Sequence, residues 1–320
     1  MLRSLKPLYL RLRPVLPALL TLVLLGLALL ALRALMHEIV WEDVLTQIHA
    51  TPVHSLLAAG ALTALSFVAL AGYDLSGLRY LDIRLPLRTI ALGSFAGYAV
   101  GNTVGLGALT GGAVRLRVYG AHGVKGLQIA QLMTFISLGF GLGITAIGAL
   151  GLLWGADRVY DVIGIPALPL RLIGVVTLVS ITAVIVLCAS GHQPLIFKRK
   201  LPLPDGGLAA TQVLVSALDI LFAAGALWVL IPQTELPFMS FLAFFTIGIS
   251  LGIILHIPGG VGIFEALILL AYHDTLPTSV LAGSLVLFRV IYYLMPLAMA
   301  LLLLLANEVF GRASVAKTES

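Results

Sequence analysis

"LHIPGGVGIFEALIL", residues 255–269, is flanked by strongly apolar sequence, yet it holds a histidine, a proline, three glycines and a glutamate. A plain membrane helix needs none of them. Pro258 lacks an N–H and disfavours helix at Ile257. Gly259, Gly260 and Gly262 permit a sharp turn and close backbone approach. In hydrocarbon each freed backbone group costs several kcal/mol, so such a break persists only when buried in protein or lining a wet cavity. The stretch is either a structural kink or a site.

The flanks set the class. Of 320 residues, 60% are hydrophobic and 10% charged, with mean hydropathy +1.10, too apolar for an ordinary soluble globule. Apolar runs of about 20 residues, the length that crosses a ~30 Å hydrocarbon core, fall at 15–36, 54–72, 88–106, 125–154, 171–190, 208–231, 238–256 and 276–306. We therefore expect an all-α polytopic membrane protein: a cytoplasmic N-terminus over 1–14, one membrane domain over 15–306 and a cytoplasmic tail over 307–320. The run from Val15 to Met36 is too long for a signal-peptide core and reads as the first span. The single cysteine, Cys188, excludes an internal disulfide and reads as packing.

The net charge of +5 does not point to nucleic acid. The basic residues cluster beside spans, in "RSLKPLYLRLR" (3–13), "RYLDIRLPLR" (79–88), "RLRVYGAHGVK" (115–125) and "KRK" (198–200). That is the pattern of cytoplasmic loops, and it suits anionic lipid headgroups. From an inside N-terminus, "HEIVWEDVLTQIHA" (37–50), with its apolar stripe Val40, Val44 and Ile48, lies outside as an interfacial helix.

The apolar region from Arg88 to Lys125 begins and ends at inside-type sequence but is interrupted by "GNTVGLGALTGGAVR" (101–115). Parity favours a re-entrant hairpin. The region around "IPGG" (257–260) admits either a second hairpin, from the opposite face, or two short crossings. Paired interrupted segments in the two halves of a membrane protein point to a transport site at the midplane of an inverted repeat.

Charge inside the membrane must be accounted for. Glu265 at membrane depth costs roughly 2.5–3.5 kcal/mol unless paired, solvated or protonated. Its best partner is Arg289, which shares a helix face with Tyr292, Tyr293 and Pro296. Such a pair locks two helices whether or not it also serves function. Asp219, near the middle of its span, should face the bundle interior or a cavity. Arg115 and Arg117 point to different helix faces: either one meets a lipid phosphate while the other snorkels, or both are topogenic. Tyr73 and Asp74 read as an interfacial anchor and cap, or as functional residues.

Several chemistries are disfavoured. "GLGALTGG" (105–112) has neither a preceding strand nor a following Gly-Lys-Ser/Thr. The seven histidines form no HExxH, and His256 has no neighbour at metal-ligand spacing, so neither metal nor cofactor is expected. No nucleophile elbow is visible, and transport without an ATPase of its own fits better than a pump.

"GYAVGNTVGLGALTGGAVRLRVYGAHGV" (97–124), "HIPGGVGIFEALIL" (256–269) and "RVIYYLMPL" (289–297), in that order, resemble the lysylphosphatidylglycerol synthase transmembrane-domain family. "YDLSGLRYL" (73–81) matches the pattern after that family's second helix, and Asp219 falls where relatives tend to carry an acid. The family includes the flippase half of the bacterial multiple peptide resistance factor. The resemblance implies a bacterial inner-membrane protein, not an enzyme, that moves an amphipathic lipid such as aminoacylated phosphatidylglycerol between leaflets.

Carried onto matching positions, it implies a substrate site of Asn102, Arg115 and Arg117 from the first break, and His256, Pro258, Gly259, Gly260 and Glu265 from the second. Asp219, Arg289 and Tyr292 complete the set. The full-length resistance factor continues into a C-terminal aminoacyl-transfer domain, whereas this chain reaches Ser320 soon after its last helix. Aminoacyl transfer is thus not expected, and the partner is an anionic or zwitterionic phospholipid or another amphipathic lipid. Assembly is expected as a homo-oligomer or with a lipid-modifying enzyme. The rivals are a non-transporting scaffold for a lipid- or glycan-modifying enzyme, and an integral transferase with Glu265 as its base.

Overall fold

A computed structural model describes residues 46, 49–104, 107–191, 195–196, 199–200, 203–232, 236–254 and 262–318, and of 195–196, 199–200 and 309–318 the backbone alone. The expected span over 15–36, most of the interfacial piece 37–50, and His256, Pro258, Gly259 and Gly260 lie outside the described residues.

The chain is built of helices: α1 (Val53–Tyr80), α2 (Leu87–Val104), α3 (Gly107–Gly120), α4 (Gly126–Ile163), α5 (Ala167–Ala189), α6 (Gly206–Trp228), α7 (Phe238–Ile254), α8 (Ile263–Ala271), α9 (Thr278–Arg289) and α10 (Met295–Thr318). A two-residue antiparallel ribbon, β1 (Leu195–Ile196) on β2 (Arg199–Lys200), precedes α6. Local chemistry explains the boundaries. Proline stands just before α1, α5 and α9 (Pro52, Pro166 and Pro277), where its missing N–H is not needed. Asp205 caps α6, accepting the Leu208 N–H at 2.9 Å. Gly164, at φ +79°, ends α4 in the left-handed conformation.

Among the described residues five helical stretches are long and apolar enough to cross a membrane: α1, α4, α5, α6 and the continuous rod Thr278–Glu308. The sequence pattern suggested about eight segments. Of the other three, 15–36 lies outside the described residues, and α2 with 18 residues and α7 with 17 reach only about 27 and 26 Å against a ~30 Å core; α3 and α8, on the far side of each interruption, are shorter still, at about 21 and 14 Å. Helices α1 and α4 also outrun their apolar runs, to Tyr80 and Ile163 instead of about 72 and 154. "YDLSGLRY" is therefore the last two turns of α1, with Tyr73 and Asp74 buried, and the reading of these two as interfacial anchor and cap is corrected.

Close approach on glycine holds the bundle together. Helices α2 and α3 form an antiparallel hairpin in which Gly93 faces Tyr119, Gly97 faces Gly111 and Arg115, and Gly101 faces Gly107. A Cβ on Gly143 of α4 would collide with Ser216 Oγ of α6, and one on Gly151 would sit 2.8 Å from the Ala243 nitrogen of α7. Between membrane helices such small-residue seams drive association, because lipid supplies no hydrophobic force between apolar faces.

Helix α8 packs antiparallel on α7, with the Phe264 ring edge-on to Phe245 at 5.3 Å, and Arg158 of α4 donates to the terminal Ala271 carbonyl at 3.0 Å. Two apolar clusters result, one centred on α7, α8 and α9 and one on α2 and α3. Helix α5 turns Leu168, Val176 and Val179 outward, as a lipid-facing element does.

Candidate functional site

Glu265 stands in the first turn of α8 and Arg289 ends α9. Arg289 Nε donates to Glu265 Oε1 at 2.8 Å, and Nη2 reaches the same oxygen. The second carboxylate oxygen accepts the Gly262 N–H at 2.7 Å, capping α8. That bond places Gly262 at φ +88°, a conformation glycine adopts without penalty. The ion pair expected from the sequence is thus formed. Its side chains remain 11% (Arg289) and 21% (Glu265) exposed.

Immediately after Arg289 the rod widens into a π turn, Val290–Leu294, closed by Met295 N–H bonding to the Val290 carbonyl. Pro296 is the cause at hand: it has no N–H to offer Tyr292, and its ring crowds that carbonyl. The π turn lies against α1 and α2 and aims Tyr292 into the bundle. There Ser66 Oγ lies 2.7 Å from Tyr292 Oη and donates to Asp219 Oδ1 at 2.5 Å. Asp219, Tyr292 and Ser66 are buried where the two apolar clusters meet. The Tyr293 ring stands 5.3 Å from Tyr292, on the side of the Glu265–Arg289 pair. Four of the sequence-derived residues, Glu265, Arg289, Asp219 and Tyr292, therefore form one neighbourhood.

Arg115 belongs elsewhere. Its Nε and Nη2 donate to Asp74 Oδ2 and Oδ1, each at 2.7 Å, its Nη1 donates to the Gly111 carbonyl at 3.2 Å, and its guanidinium lies 4.3 Å from the Tyr98 ring centroid. Tyr119 Oη donates to Asp74 at 2.5 Å. The pair is sealed, at 1% and 0% exposure, and every hydrogen bond to it comes from α1, α2 or α3. Arg117, two residues on, faces away and pairs with Glu308 of α10, so its charge ties α3 to α10. Asn102 is half-buried near the end of α2.

A polar ladder joins the two pairs. Tyr98 packs on Tyr73 at 6.1 Å, and Tyr73 lies within electrostatic reach of Asp219. Below it Ser76 donates to Gln212 Oε1 at 2.5 Å. Sequence reading missed Ser66, Ser76, Tyr98, Gln212 and Ser216. The signal was present: Gln212, Ser216 and Asp219 are spaced four and three apart, one polar stripe on an otherwise apolar helix. Among the described residues, one cavity lies between α2, α3 and α10 and another between the ends of α1 and α6, and Glu265, Arg289 and Asp219 line neither of these two. Among the described residues no cluster of histidine, cysteine or carboxylates could hold a metal.

No family model matches the chain. Individual proteins do. It is 32% identical over 241 residues to an uncharacterised Synechocystis protein, covering 75% of each chain, and 30% identical over 258 residues to the inner membrane protein YbhN of Escherichia coli, covering 78% of each. The chain belongs to the YbhN family of membrane proteins. It is also 29% identical over 244 residues to the phosphatidylglycerol lysyltransferase of Staphylococcus aureus, a match that takes in 73% of this chain and 27% of that protein. A multi-pass membrane protein of the YbhN family, related to part of a protein named for phosphatidylglycerol, is what the helices and these matches establish together.

Proposed function

We propose that this YbhN-family protein moves a phospholipid, or a related amphipathic lipid with a charged headgroup, between the leaflets of the bacterial inner membrane. The reading rests above all on the Glu265–Arg289 pair: opposite charges at a helix start and a π turn, formed but not sealed. A buried ion pair meant only to lock helices gains nothing from exposure, whereas one that must accept a headgroup has to be reachable.

In this reading the short hairpins α2–α3 and α7–α8 are re-entrant, entering from opposite faces as halves of an inverted repeat, with both termini cytoplasmic. A headgroup phosphate replaces Glu265 on Arg289, and a cationic headgroup amine, where present, takes Glu265 or Asp219. Asn102, His256, Pro258, Gly259 and Gly260 complete the passage, and the acyl chains stay in lipid. The relation to a phosphatidylglycerol lysyltransferase makes aminoacylated phosphatidylglycerol the first substrate to try.

A second reading is a membrane scaffold for a lipid- or glycan-modifying enzyme. It is favoured by the Glu265–Arg289 pair itself, which joins α8 to α9 as a helix-locking contact would. Liposomes carrying the purified protein and labelled phosphatidylglycerol, its lysyl derivative or phosphatidylethanolamine decide between them. Transport predicts faster exchange of at least one lipid than in empty liposomes, lost in folded Glu265→Gln and Arg289→Ala variants. Exchange no faster than in empty liposomes for all three lipids would sink the transport reading and leave the scaffold.

A further inference from the structure

The cavity between α2, α3 and α10 lies apart from the pair just discussed, and its lining is sorted by chemistry. One end carries Arg88, Arg117, His122 and Glu308; the other is walled by Leu92, Val100, Val114, Leu301 and Leu304. It encloses about 260 Å³. Its shape follows from how α10 leaves the bundle. Leu297 and Ala300 are fully buried against the α2–α3 cluster. Beyond them Leu305 turns 61% exposed, and the Arg117–Glu308 pair ties α10 to α3. The space is a wedge, greasy where it is narrow and charged at its rim.

The charge at that rim is unbalanced. Among the described lining residues, two guanidinium groups (+2) and one carboxylate (−1) leave one net positive charge from the arginine and glutamate side chains. His122 is already committed, Nδ1 at 3.2 Å from the Val118 carbonyl and Nε2 at 3.1 Å from Thr89 Oγ1. Arg88 is exposed at the start of α2, so its guanidinium can turn to an anion without breaking a bond shown here. We infer that this wedge binds one anionic phospholipid, its phosphate on Arg88 and Arg117 and one acyl chain along Leu92, Leu301 and Leu304. The volume lies just below the roughly 300–1,000 Å³ of pockets that engulf a whole drug-sized ligand, which suits a lipid only part of which leaves the bilayer. A water-soluble anion would leave the apolar wall unfilled. The site stands whether or not the protein transports lipid.

Native mass spectrometry of the full-length protein, titrated with dioleoyl phosphatidylglycerol and separately with dioleoyl phosphatidylcholine, tests it. We expect one retained phosphatidylglycerol, preferred about fivefold, the worth of one interfacial cationic contact. Arg88→Gln should abolish that preference and Leu304→Trp, which fills the wedge, should remove the retained lipid. Should Leu304→Trp fail to fold, the exposed Arg88→Gln decides alone. Equal retention of both lipids by the unaltered protein, or an undiminished preference in Arg88→Gln, overturns the assignment. Displacement by excess glycerol phosphate also overturns it, because the site would then read phosphate without the chains.

Discussion

Asp74–Arg115 and Glu265–Arg289 are both carboxylate–guanidinium pairs inside one helical bundle, and they are built to opposite ends. The first is bidentate, braced by Tyr119 and Tyr98 and closed to solvent. The second binds through one carboxylate oxygen, spends the other on a helix cap, and stays partly open beside a π turn. Removing one partner of a sealed pair strands a charge in low dielectric. Opening the exposed pair costs less, because water or a headgroup can take the vacated bonds. The same chemistry thus forms a sealed rivet in one place and, in the proposed function, a docking point in the other.

The sharpest way to break this contrast is Arg115→Met. Leaving Asp74 buried and unpaired should destabilise the protein by about 3–5 kcal/mol, read as a large fall in the detergent melting temperature or loss of folded protein. The double variant Asp74→Leu with Arg115→Met should recover most of it. A melting temperature in Arg115→Met equal to that of the unaltered protein would show that the sealed pair is no rivet.

Arg289→Met should behave in the opposite sense. Its melting temperature stays near that of the unaltered protein, while lipid exchange in liposomes falls by about two orders of magnitude, in keeping with losing the charge that meets the headgroup. If stability falls as far as in Arg115→Met while exchange per folded molecule is unchanged, the two pairs are alike and the contrast collapses.

Gly97→Ala probes the rivet without touching a charge. The added Cβ would meet Arg115 Nη1 at 2.6 Å and Cζ at 3.0 Å, forcing the guanidinium off its carboxylate or prising α2 from α3. A cost of about 1–3 kcal/mol is expected, as for overpacking elsewhere, and thermal melting measures it. A neutral result would mean that the hairpin yields at this point.

Much of this was legible beforehand, and the reasons separate cleanly. The apolar runs located α5, α6 and α7 closely, because lipid-facing and core-facing residues alike must be apolar there. Glu265 could be matched to Arg289 because a charge at membrane depth has few possible partners. Arg115 could not be matched to Asp74: hydropathy placed Asp74 past the end of a span, and only the continuation of α1 through "YDLSGLRY" brings it inside. Helix ends follow hydrogen bonding and capping, which hydropathy does not register. The π turn was likewise hidden, although Pro296 marks where it had to fall.

Tyr292→Phe carries the smallest effect and separates the two regions most finely. The phenol oxygen meets Ser66, which itself donates to Asp219, so removing it leaves the carboxylate its serine and strands no charge. The loss should be one neutral hydrogen bond, about 0.5–1.5 kcal/mol and toward the lower end between membrane helices. If Tyr292 only packs, melting shifts by that amount and exchange per folded molecule is unchanged. If the π turn must move for Arg289 to release Glu265, the lost tether alters exchange more than stability. Measuring both in one preparation tells which. A change confined to stability would place Tyr292 with the rivet, leaving Glu265 and Arg289 as the part of this neighbourhood that meets lipid.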